Sequence, residues 1–88
     1  MEAFEISEII AQRNGVVEIR GRALTTLKKG DTIFYNNPLQ TKHEIIISEI
    51  LFWEAEIDMI ESPHSCTLMI ENAKIPVGIK VLYTDKSD

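Results

Sequence analysis

A single cysteine, Cys66, stands in the whole chain. No intrachain disulfide can form, so nothing calls for an oxidising compartment and the expected address is cytoplasmic. Long hydrophobic runs are missing too. The longest are Ile45-Ile46-Ile47 and Ile50 to Trp53, far short of the roughly 20 residues a membrane-spanning helix needs. Met1-Glu2-Ala3-Phe4-Glu5 lacks the basic start and apolar stretch of a signal peptide. No membrane role is expected. There is no internal repeat, low-complexity tract or linker, and only Thr84 onward is polar enough to read as a frayed end.

Lysine and arginine are absent from 44–71, which carries seven acids. The chain as a whole has a net charge of −5, which disfavours a general nucleic-acid binder, because such affinity comes largely from neutralising phosphates. The opposite sign gathers in 13–43, where Arg13, Arg20, Arg22, Lys28, Lys29 and Lys42 face only Glu18 and Asp31. A basic strip and an acidic face therefore compete as contact surfaces.

Proline and glycine are scarce, at three and four residues, and they fall where strands should end. Asn14-Gly15 is a strong hairpin signal, since both residues tolerate positive φ. Lys29-Gly30-Asp31 marks a turn into Thr32 to Tyr35, and Asn36-Asn37-Pro38 ends that strand. Gly21 interrupts the strand Val16 to Leu24 and predicts a bend, a bulge or a close backbone approach. In the first strand, Phe4 and Ile6 alternate with Glu5 and Ser7 until Ile9-Ile10 breaks the period, as a bulge or a strand buried on both faces would.

His43 to Trp53 predicts a long strand. His43, Ile45, Ile47, Glu49, Leu51 and Trp53 are expected on one face, with Glu44, Ile46, Ser48, Ile50 and Phe52 on the other. Trp53 to Glu61 fits either a helical face or a strand, and the flanking strands favour continued β structure or an irregular turn. Ser62-Pro63 is a break, and Cys66 to Glu71 is a strand with Leu68 and Ile70 on one face. After Ile75-Pro76, Val77-Gly78-Ile79 leads to a last strand ending at Leu82-Tyr83. Short strands, abundant isoleucine and no clear long helix predict an all-β fold: a small antiparallel barrel of six to seven strands. The expected organisation is one barrel domain over 1–84 and a polar tail over 85–88.

Four segments resemble the β-barrel second domain of elongation factor Tu and related translation GTPases. The strand ending Gly21-Arg22-Ala23-Leu24 is similar to a Gly-Arg-Val strand end in that family. Leu27-Lys28-Lys29-Gly30-Asp31-Thr32-Ile33 resembles its basic-x-Gly-acid turn. Ile45 to Phe52 resembles its long fourth strand, and Thr67 to Asn72 with Ile75 to Leu82 resembles its closing pair. The resemblance spans about residues 4 to 83 and implies a stand-alone barrel. No Gly-rich run ends in Gly-Lys-Ser/Thr, so the phosphate-binding loop of a GTPase is missing. The turn before the fifth strand, Ser62-Pro63-His64-Ser65-Cys66, also departs from the family's Ala-Gly-acid pattern. No site residue carries over.

The candidate chemistries are thin. His64-x-Cys66 with His43 falls short of the four ligands of a structural zinc site. A Cys66 nucleophile would need a positive local field, and the acids at 54–61 supply the reverse. Catalytic, cofactor and metal sites are therefore not expected. Two surfaces remain. Trp53, Glu54, Glu56 and Asp58 form a candidate protein contact, with an aromatic anchor beside an acidic run. Arg20, Arg22, Lys28 and Lys29, near Phe34 and Tyr35, form a candidate RNA contact. The sequence-based expectation is a non-catalytic binding or accessory module for another protein, with an RNA or ribonucleoprotein module related to translation as the alternative.

Overall fold

The computed structural model describes residues 1–39, 41–71, 73–76 and 78–85, with only the backbone at Arg13. The expectations placed on Val77, on the Arg13 side chain and on residues 86–88 lie outside the described residues. All nine regular elements found there are strands. They are β1 (Glu2–Arg13), β2 (Val16–Ala23), β3 (Leu27–Lys28), β4 (Thr32–Asn36), β5 (Lys42–Phe52), β6 (Ala55–Ile57), β7 (Met59–Ile60), β8 (Ser65–Glu71) and β9 (Val81–Tyr83). No helix among them is long and apolar enough to cross a membrane.

Strand order explains how so short a chain protects its edges. The sheet runs β4-β9-β1-β2-β8-β5, and β5 pairs back onto β4. Six antiparallel strands thus close into a barrel, which removes the open edges that isoleucine-rich strands would otherwise offer to other chains. β6 adds a short seventh strand outside β5, and β3 pairs with β7 in a separate ribbon. Inside lie Phe4, Ile19, Ile47, Ile50, Leu68 and Leu82, all fully buried. Burial of each such side chain is worth ~1.5–3 kcal/mol.

Bulges shape the barrel. In β1 the register against β2 slips at Ser7 and again at Ile10, where the apolar period breaks. In β5 the register against β8 slips at Ser48, whose hydroxyl donates to the Met69 carbonyl at 2.8 Å. A bulge reverses the alternation of every residue beyond it. This corrects the expected faces of β5. Ile45 and Ile47 point inward as expected, but beyond Ser48 it is Ile50 that enters the core and Glu49 that is exposed.

The turns follow their residues. Asn14 and Gly15 have φ of 53° and 74° and join β1 to β2 as a two-residue hairpin. Gly30, at φ 94°, occupies the third position of the Lys28–Asp31 turn, closed by Asp31 N donating to the Lys28 carbonyl at 3.0 Å. The Asp31 carboxylate accepts from Lys28 N at 2.9 Å in return. Gly21 meets its neighbours closely: a Cβ there would lie 2.0 Å from the Glu5 carbonyl oxygen and 2.7 Å from the Phe4 ring. Gln12 acts as a surrogate strand for the 73–76 loop. Its amide donates to the Ile75 carbonyl and accepts from Ile75 N, at 3.2 and 3.1 Å.

Candidate binding site

The β5–β6 hairpin turns on Trp53 and Glu54, with Phe52 paired to Ala55. Both turn residues have positive φ, 53° and 67°. A two-residue hairpin demands this backbone, and asparagine and glycine normally supply it. Tryptophan and glutamate adopt it at a cost of about 1 kcal/mol or more each, because Cβ crowds the carbonyl oxygen. The turn holds Trp53 out from the barrel with 88% of its surface exposed. Phe52, in the strand, packs against the core instead.

A depression of about 630 Å³ opens beside this tip. Its bed is a cross-strand row on the outer face, Arg20 of β2, Thr67 of β8 and Leu51 of β5, which are neighbours in register. Its apolar walls are Phe52, Trp53 and His64. The Phe52 ring meets the Trp53 ring edge-on at 6.2 Å and the His64 ring at 6.1 Å. His64 is fixed by its own turn: its backbone N and its Nδ1 both lie 3.0 Å from the Glu61 carbonyl. A carbonyl only accepts, so Nδ1 carries the proton. Glu18 and Glu54 complete the rim.

The four acidic and aromatic candidates are thus divided. Trp53 and Glu54 line the depression. Glu56 turns to Lys29, whose Nζ lies 3.1 Å from its carboxylate. That hydrogen bond and charge hold the Lys29 ammonium above its ordinary range. Asp58 contributes its backbone carbonyl, which accepts from Lys29 N at 2.9 Å. One end of the expected basic strip therefore meets one end of the expected acidic face.

The strip's arginines are matched as well. Arg20 pairs with Glu8 and Arg22 with Glu5, each at 2.9 Å across the β1–β2 ladder. Exposed pairs such as these contribute about 0–1 kcal/mol to stability, but they cancel the local positive field. The expected stacking residues are also engaged. Phe34 stacks on Tyr83 and lies beneath the Lys42 ammonium, while buried Tyr35 stacks on His43.

Cys66 sits on the inner face of β8, 6% exposed. Burial alone pushes its thiol up from 9.0 to about 11, so it stays protonated and unreactive at neutral pH. The folded chain then keeps a proton between pH 9 and 11 that the unfolded chain releases. The resulting stabilisation is complete below pH 9 and is lost as pH rises toward 11. Denaturation midpoints measured over this range should show wild type losing ground to Cys66→Ala. Parallel pH curves for the two proteins would contradict the burial of the thiol.

Among the described residues no three His, Cys, Asp or Glu converge in a group able to hold a metal ion. No protein-family model, curated protein or solved structure matches the chain.

Proposed function

We propose that this barrel is a non-catalytic binding module that contacts another protein through the Trp53–Glu54 hairpin and the depression beside it. The observation that carries this reading is the conformation of the tip. A large aromatic is kept exposed on a turn whose backbone disfavours it, although the same chain uses Asn14-Gly15 for the equivalent turn elsewhere. Strain kept at an exposed position, where a cheaper turn exists, is a mark of selection for contact. Tryptophan is also among the residues most enriched at the energetic hot spots of protein interfaces. The neutral Cys66 thiol supports the non-catalytic part.

The relation to the second domain of elongation factor Tu and the translation GTPases is part of the same proposal. It is supported by the closed antiparallel barrel and by the Gly21-Arg22 and Lys29-Gly30-Asp31 segments at a close approach and a turn. A cytoplasmic address, supported by the lone reduced cysteine, completes it.

The test is a pull-down from native lysate with the wild-type barrel, Trp53→Ala, and a variant neutralised at Glu54, Glu56 and Asp58. A hot-spot tryptophan is worth about 2 kcal/mol or more, or about thirtyfold in affinity, so Trp53→Ala should empty the bead of a specific partner. Unchanged recovery with both variants would overturn the assignment of this surface. A partner that is RNA, released by ribonuclease, would instead favour the ribonucleoprotein alternative.

A further inference from the structure

We propose that the depression beside Trp53 receives an arginine side chain presented by an extended basic segment of the partner. This rests on the protein-contact reading above and specifies the partner's chemistry.

The rings are set for a cation. Trp53 and His64 each stand almost perpendicular to Phe52, at 86° and 87°. The three rings line one cavity. The face of an aromatic ring attracts a cation within about 6 Å of its centre, and tryptophan does so best. The chain already uses this attraction at another place, where the Lys42 ammonium sits 4.3 Å from the Phe34 ring centre.

The charges around the cavity have the complementary sign. Glu18 and Glu54 line it, and neither makes an ion pair among the described residues. The lysine or arginine that also lines it is Arg20, whose charge is taken up by Glu8. Residues 44–71 hold seven Asp or Glu, Glu54 among them, and no Lys or Arg; Glu56 is matched by Lys29, and the rest leave a net negative field that draws a basic segment in. A phosphate backbone would be repelled by the same groups.

Arginine suits the site better than lysine. Its planar guanidinium can stack on the indole while its donor fork reaches a carboxylate. The depression, at about 630 Å³, is open to solvent on one side. It has room for more than one side chain, so residues flanking the arginine can lie along it.

Trp53 is the chain's one tryptophan, so its fluorescence reads the site directly. The probe is a capped peptide with three arginines spaced by glycine and serine. Its counterpart replaces each arginine by citrulline, which keeps the shape and removes the charge. The arginine peptide should change Trp53 emission saturably at low ionic strength, and the citrulline peptide should bind at least about fivefold more weakly. The double variant Glu18→Gln, Glu54→Gln should also lose about fivefold or more while keeping the wild-type circular dichroism spectrum. Equal binding of the two peptides, no saturable response, or tighter binding of a uridine-rich RNA oligomer would each overturn the proposal. If the arginine peptide fails while Trp53→Ala still loses its partner in the pull-down, the protein-contact reading stands and the arginine assignment falls.

Discussion

Gly21→Ala is expected to lower the melting temperature by about 12–24 °C. The added methyl group would sit 2.0 Å from the Glu5 carbonyl oxygen and within 3 Å of two Phe4 ring atoms. Phe4 is fully buried and cannot swing away without opening the core. Overpacking in a well-filled core costs about 1–3 kcal/mol, and a clash with backbone belongs at the upper end. Each kcal/mol moves the midpoint of a domain this size by about 4–8 °C. Trimming the ring in a Gly21→Ala, Phe4→Leu double variant should restore little, because the Glu5 oxygen belongs to the paired β1 backbone. Thermal denaturation followed by circular dichroism reads both variants. A Gly21→Ala midpoint within about 3 °C of wild type would mean that β1 and β2 do not approach as described.

The second large effect has the opposite sign for stability. Replacing Trp53-Glu54 by Asn-Gly gives the hairpin the residues its positive φ angles favour. It should raise stability by about 1–2 kcal/mol, since each original residue pays for the left-handed backbone. The midpoint then climbs by about 4 °C or more. The same exchange removes the exposed indole and the Glu54 carboxylate, so arginine-peptide binding and partner capture should both collapse. Stability gained where binding is lost is the pattern of a site held against its local preference. Calorimetry serves for the binding arm, because the variant has no tryptophan left. An Asn-Gly chain that melts no higher than wild type would argue that Trp53 and Glu54 are not strained.

How much of this could be read from residues alone depended on whether the signal was local. Asn14-Gly15 and Lys29-Gly30-Asp31 announced their turns because the required backbone excludes most other residues. The broken period at Ile9-Ile10 left a bulge and a doubly buried strand open, and Gly21 left a bend, a bulge and a close approach; the bulge and the close approach are what the structure has. The bulge at Ser48 was hidden, since a serine in an isoleucine-rich strand marks no break, and the faces beyond it were inverted as a result. The Trp53–Glu54 turn was hidden for a better reason: it uses none of the residues that turns prefer, so the strand read on to Trp53 and the stretch after it stayed open between a helical face, continued β structure and an irregular turn.

The candidate site was legible only in pieces. Trp53 and Glu54 stood out by type and neighbourhood. Their union with His64, Arg20 and Thr67 depends on β5, β8 and β2 lying side by side, which no spacing in the chain encodes. The pairing of Arg20 with Glu8 and Arg22 with Glu5 is likewise a product of register. It turned an apparent basic strip into a nearly neutral ladder.

The position of β9 bears on how the barrel forms during synthesis. Its three residues, Val81–Tyr83, lie between β1 and β4, so the first barrel strand waits for the last. Without Leu82 in place, β1 and β4 would each present an unpaired edge. Pairings between distant parts of a chain are slow to form and prone to aggregation while open. A chain lacking Val81–Tyr83 is therefore expected to aggregate more readily than the whole one, and this short segment covers both edges in a single step.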